Sequence, residues 1–340
     1  MPKKALKQRA RKEQGNVCAL TGDGLNKDDS MIDTHRPKHK KEGGSYTRKN
    51  TKVVEPVAHQ KHHNAHRARK PELEEMKSII DNRQHIMGLK NKINNQILAF
   101  KRGTDNLMEP TLLFLDDTLK PVLEELKQHD KALTEAVKSY DHPIIKSALG
   151  VKGVGPVTVA YCLVYLDIEG YFDYDPKSGK RHPRAGEEKC PHASSVWAYA
   201  GLDKPSHDRY QKGVAGGGNK KLRTALYSFA ESQMKQNGPY RLVYDRVKER
   251  LSISEKLVLS RTVDKRWVEC MWKDAKPSHR HGAALRAVMK HFLADWWFVY
   301  RVFEGLPVSP LYPEAILGGN HRTIMPKERG WVYPEVAMAA

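Results

Sequence analysis

Cysteine is scarce in this chain: four residues, Cys18, Cys162, Cys190 and Cys270, in 340. Their wide scatter argues against a disulfide framework and for a reducing compartment, with a cytoplasmic setting expected. Paired Cys-x-x-Cys sites are missing. Cys18-Ala19-Leu20-Thr21 has no second cysteine near it, so no structural zinc is expected there. Cys190 and His192, with His182, offer three possible metal ligands. Long apolar runs are missing too. No stretch of ~18 apolar residues occurs, which removes a transmembrane helix and a membrane partner from the expectations. The first fifteen residues carry six Lys/Arg and no apolar segment, so they do not read as a secretory signal. They read as a basic arm over 1–15, either laid on phosphate or simply solvated. Acidic residues are in deficit, 40 Asp/Glu against 59 Lys/Arg, for a formal net charge of +19. That surplus favours polyanions, nucleic acid before membrane surface.

What is present is concentrated histidine. Asp33-Thr34-His35, Gly43-Gly44, Asn50 and His59-Gln60-Lys61-His62-His63 follow one another within about thirty residues. The order fits a ββα-metal (HNH-type) nuclease over 16–70. A strand ending near His35 presents a general base, Asn50 orders the loop after the glycine pair, and Val53-Val54 makes a second short strand. A helix then carries His59 and His63, four apart and so on one face, where they can share a metal ion. Phosphodiester hydrolysis needs these parts: an imidazole to take a proton from water, and a divalent cation, Mg2+ or Mn2+, to stabilise charge on phosphate. Asp33 lies two residues from His35 and is a third candidate ligand, although Thr34 separates a pair that is adjacent in the common HNH pattern. His62 and His66 are lesser candidates. The plainer alternative is a histidine-rich basic segment that only binds phosphate.

From Pro71 the periodicity turns helical. Ile79, Ile86, Ile93, Ile97 and Phe100 form a heptad-like seam ended by Gly103. Leu115, Leu119, Val122, Leu126, Leu133, Val137 and Tyr140 continue the rhythm in a second helix, with Pro121 marking a kink or a late start. The pair reads as an antiparallel coiled-coil hairpin over 71–145, either packed on itself or serving as a dimerisation arm. Leu149-Gly150-Val151-Lys152-Gly153-Val154-Gly155-Pro156 then reads as a hairpin of helix-hairpin-helix type, whose open N–H groups and Lys152 suit a phosphate. A polar excursion runs from about Glu169 to His192. Further on, Arg209, Lys212, Gly216-Gly217-Gly218, Lys220, Lys221 and Arg223 read as a flexible cationic loop fitted to a nucleic-acid backbone, the alternative being a solvated loop. Trp267 and Trp272 precede a loop in which Arg280 and His281, with Arg286 beyond, are placed to meet RNA. A helix from Ala283 to Phe303 follows, and the tail after Gly305 is expected to lie extended over the core.

The motifs Gly150-Val151-Lys152-Gly153-Val154-Gly155-Pro156, Trp197-Ala198-Tyr199-Ala200-Gly201-Leu202 and Gly218-Asn219-Lys220-Lys221-Leu222-Arg223-Thr224-Ala225-Leu226-Tyr227 resemble the C-terminal domain of bridge-RNA-guided insertion-sequence transposases. Those enzymes begin with a RuvC-like acidic domain, and here an HNH-like module stands in its place. Gln211-Lys212-Gly213 also lacks the nucleophilic serine of their comparable loop, with Ser206 displaced. Over most of the chain, Tyr240-Arg241-Leu242-Val243-Tyr244-Asp245 and Phe292-Leu293-Ala294-Asp295-Trp296-Trp297 included, the sequence is closer to the Tas proteins of tandem interspaced guide-RNA (TIGR) systems of phages and parasitic bacteria. Within them it resembles the branch with a fused HNH nuclease, TasH. The resemblance implies a Nop-like guide-RNA-binding domain over 146–340, dual guides addressing both strands of a double-stranded DNA target, and a homodimer. The fold expected is mainly α: an HNH module, a coiled-coil hairpin and a mostly helical Nop-like domain. Competing readings are a transposase relative, an RNA-binding protein whose HNH module is inactive, and an unguided HNH nuclease.

Overall fold

Apolar residues three and four apart over long stretches force most of this chain into helices that pack by their stripes. The computed structural model describes residues 3–19, 25, 33–35, 52–54, 71–102, 109–172, 182, 184, 186–203, 217–261, 266–308 and 324–335. It is mainly helical, as expected, and divides into two compact units, residues 1–71 with 172–186 and residues 72–171 with 187–340.

In the first unit, helix α1 spans Lys3–Glu13 and lies against a two-stranded ribbon. Most of the basic arm, Lys3–Glu13, is therefore helical. Its Ala10 is buried, as are Cys18 and Leu25. Gly15 and Asn16 both take positive φ and end the helix, and Asn16 Oδ1 accepts from Arg11 Nε at 2.9 Å. The ribbon pairs β1 (Asp33–His35) antiparallel with β2 (Lys52–Val54).

The second unit opens with α2 (Pro71–Arg102) and α3 (Glu109–Ser139). Arg83 bonds Asp130, and Ile93 and Ile97 pack with Leu115, so the two helices run antiparallel. The seam read in the sequence holds in the second half of α2, where Ile93 and Ile97 are buried, but the buried stripe is shifted in the first half. Met76 and Ile80 are fully buried, whereas Ile79 and Ile86 sit half-buried beside them. Leu73, Met76, Ile80, Arg83, Met87, Lys90, Asn94 and Ile97 repeat at three/four spacing, and none of them is exposed. Arg83, Lys90 and Asn94 interrupt its apolar character, which hides this stripe from a search for hydrophobic residues alone. The hairpin also does not end at 145 as a separate body, because Met76, Ile80, Leu133, Val137 and Tyr140 belong to the main core.

That core is built by α4 (Pro143–Leu149), α5 (Pro156–Tyr165), α6 (Ala193–Tyr199), α7 (Lys220–Gln236), α8 (Arg241–Ile253) and α9 (Pro277–Phe303). Helix α9 packs on α4, α6, α7 and α8, and carries Phe292, Trp296 and Trp297 at 0% exposure. It begins six residues before the expected Ala283, since Pro277 supplies a first-turn φ without needing a hydrogen-bond acceptor. Arg280 and His281 thus lie in its first turns and not in a loop. Between α8 and α9 an antiparallel hairpin, β3 (Leu257–Arg261) with β4 (Trp267–Met271), was not anticipated. The described part of the tail, 324–335, does lie over the core, where Trp331 is buried against Phe292 and Trp296.

Candidate nucleic-acid site

The strands expected to carry the nuclease base pair in register: Asp33 sits opposite Val54, Thr34 opposite Val53 and His35 opposite Lys52. A short antiparallel ribbon needs β-branched residues and a connection long enough to return the chain, and Thr34, Val53 and Val54 with the intervening loop meet both needs. Asn50, His59 and His63, and the lesser candidates His62 and His66, lie outside the described residues. Among the described residues no group of three His, Cys, Asp or Glu is arranged to hold a metal ion. The weaker metal candidates have other roles. His182 Nδ1 accepts from Arg184 N at 3.1 Å, and its ring stacks on Phe172. Cys190 is buried and its thiol is pushed up to about 11 by that burial, while its carbonyl accepts from Trp297 Nε1 and Arg301 Nη1.

The expected RNA-gripping cations divide into two groups. Arg209 and Lys212 lie outside the described residues, whereas Lys152 and Lys220 are exposed. Lys221 Nζ meets Asp81 Oδ1 at 2.5 Å, an ion pair between two exposed side chains. Arg223 departs further from expectation. Its Nη1 donates to Gly217 O at 2.6 Å and to Ala200 O at 3.2 Å, clamping two backbone segments together. The glycines serve the same crossing. Gly201 and Gly218 have φ of +67° and +65°, and a Cβ on either would come within 2.3 Å of the opposite chain. At Gly201 and Gly218 the missing side chain thus serves a close approach of backbone to backbone. Arg280 likewise donates to Lys273 O and Trp272 O, and His281 Nδ1 pairs with Tyr244 Oη at 2.7 Å.

The two helix starts expected to meet phosphate also differ. Asn219 caps α7 with its own side chain, accepting from Leu222 N at 3.0 Å. At α5 the N-cap is Gly155, and no side chain caps the helix. The hairpin leading to it is pinned from beneath by Gln233, fully buried on α7. Gln233 Nε2 donates to Lys152 O at 2.8 Å and its Oε1 accepts from Tyr240 N at 3.3 Å. Gly153, at φ +84°, has no room for a Cβ against that amide. Sequence reading passed over Gln233; a lone amide on the apolar stripe Leu222, Leu226, Phe229 was the available signal. Lys152 and the uncapped turn of α5 therefore stand on a fixed platform beside a cleft between α2, α5 and α7.

No protein-family model matches the chain, and a search of curated proteins gives no match.

Proposed function

We propose that the chain is an RNA-guided DNA endonuclease. The observation that carries the reading is the pairing of Asp33–His35 with Lys52–Val54, the strand pair that a ββα-metal nuclease requires at these positions. In this reading His35 takes a proton from the attacking water as general base. Asn50 holds the intervening loop, and Asp33, His59 and His63 would hold Mg2+ or Mn2+, a donor set of one carboxylate and two imidazoles. The cation, when bound, supplies charge stabilisation at the phosphate and leaving oxygen. The Nop-like helical unit would bind the guide RNA, a reading supported by the net charge of +19, by the exposed Lys152 beside the uncapped start of α5 and by the exposed Lys220 at the start of α7. A double-stranded DNA target and a homodimer complete the proposal, as the resemblance to the Tas proteins implies.

The test begins with RNA extracted and sequenced from the purified full chain, where one discrete short species is expected. Reconstituted protein should then cut matching DNA, and His35→Ala should abolish cutting while leaving RNA affinity unchanged, because a general base acts only in the chemical step. Cutting at full rate by His35→Ala removes the assignment. Heterogeneous RNA with undiminished, sequence-independent cutting supports an unguided nuclease instead.

A further inference from the structure

The cleft between α2, α5 and α7 has a volume of about 210 Å³. Pockets for whole small molecules run to roughly 300–1,000 Å³, so this one has room for a single ring system rather than a whole cofactor. Met87, Val157 and Phe229 give it apolar walls, and Thr158, Thr224 and Ser228 line it with hydroxyls.

Three features of the lining bear on what the cleft could hold. Thr158 is 8% exposed, lines the cleft, and its hydroxyl meets no protein partner. The hydroxyl opens into the cleft, where it is available to bond a ligand. Gly155 has φ −103° and ψ 162°, a conformation any residue adopts, and a Cβ there would touch nothing within 4 Å. Neither backbone nor neighbours require glycine at this position, which lines the cleft. Arg83, also in the lining, is engaged by Asp130 and Met87, and three other polar groups keep acceptors. Thr224 and Ser228 donate to Lys220 O and Thr224 O, leaving their lone pairs, and Gln84 Nε2 donates to Tyr161 Oη, leaving its own Oε1.

We propose that this cleft takes one unstacked base of bound single-stranded RNA, with its faces against Met87 and Phe229 and its edge bonded by Thr158, Gln84 and Ser228. An aromatic wall, here Phe229, with a few edge-directed polar groups is what a splayed base needs. The uncapped amides of α5 lie at the rim, where the phosphate of the same nucleotide would pass. The proposal rests on the RNA-binding reading above and adds to it a base-reading position, which phosphate contacts alone do not supply.

The experiment measures binding of a short unstructured RNA oligonucleotide to the full chain, over a range of salt, for wild type, Ser228→Leu and Thr158→Val. Ser228 is exposed, so leucine fills the cleft without disturbing the core. Loss of one stacked base should weaken binding roughly five- to a hundredfold. Thr158→Val should weaken it about three- to tenfold, the effect of one neutral hydrogen bond, while leaving the melting temperature equal or higher. Neither variant should alter the salt slope, because no phosphate contact is removed. Unchanged affinity in both folded variants overturns the proposal, as does a weaker salt slope, which would place a phosphate in the cleft. If Ser228→Leu does not fold, Thr158→Val decides. Failure of the wild-type chain to bind RNA at all is a separate outcome, which removes the proposed function and this inference together.

Discussion

Asp295 and Arg329 are the residues whose loss should be felt most. Asp295 is 0% exposed and Arg329 5%, and Arg329 holds both carboxylate oxygens through Nε and Nη2. Tyr240 donates to the same carboxylate, and Trp331 Nε1 donates to Tyr240 Oη at 2.8 Å. This network fixes the last described segment to α8 and α9. Asp295→Asn leaves a buried guanidinium without its counter-charge and should cost roughly 3–5 kcal/mol in urea unfolding. The double change Asp295→Leu with Arg329→Leu should cost less than the single one, because no charge is left stranded. A second residue-scale expectation concerns Cys190. Its thiol ionises near 9.0 when free and is pushed up to about 11 by burial, so the unfolded chain releases the proton first. Stability should fall as pH rises from 9 to 11, by at most about 1.4 kcal/mol per pH unit, and Cys190→Ala should remove that part of the slope. Unfolding curves across that range, wild type against variant, give the comparison; parallel curves would show that the thiol does not titrate differently on folding.

At the scale of elements, the phase of α2 is the instructive case. A seven-residue step through Ile79 and Ile86 selects the flank of the buried stripe, while Met76 and Ile80 take its centre. Ile80→Ala should therefore destabilise by about 2–5 kcal/mol, as for a filled core site. Ile86→Ala, at a half-buried position, should cost well under half as much. Equal costs in chemical denaturation would restore the sequence-read seam. The stripe is polar at Arg83 because Asp130 on α3 meets it there. Burial works against the guanidinium charge, and Asp130 outweighs it, so the Arg83 pKa is raised. An ion pair in the seam fixes the register of the two helices, since sliding by one turn would separate the charges.

For the whole molecule, the surplus of positive charge should appear as salt-dependent RNA affinity. Lys152 and Lys220 are exposed cations, in the hairpin before the uncapped turn of α5 and at the start of α7. Changing both to alanine should lower affinity for all RNA sequences alike. The slope of log affinity against log salt should flatten by about 1.4, at roughly 0.7 per single-strand phosphate contact. An unchanged slope would place the phosphate path elsewhere. Arg223→Ala belongs to a different class: it removes the clamp between Gly217 and Ala200, so its effect on RNA should come with a loss of stability. Combining Arg223 with the lysines would confuse the two effects.

The sequence by itself determined the helical class, the long helical pair, the glycine hairpin before α5 and the positions of β1 and β2. Each depends on local rules: three/four spacing, proline at a helix start, glycine where φ is positive, β-branched residues in a short strand. What a polar side chain does in the fold was not legible, because its partner lies far along the chain. Arg223 and Arg280 read as phosphate ligands from their charge, and only the fold shows that each also donates to carbonyls of other segments. Gln233 looks incidental until Lys152 O and Tyr240 N converge on its amide. Asp295 looks like a solvated acid until Arg329, Tyr240 and Trp331 close around it. Hydrophobic patterning fixes which face of an element turns inward, but hydrogen-bond partners are chosen by the crossing of elements. That choice is made only when the tertiary structure forms.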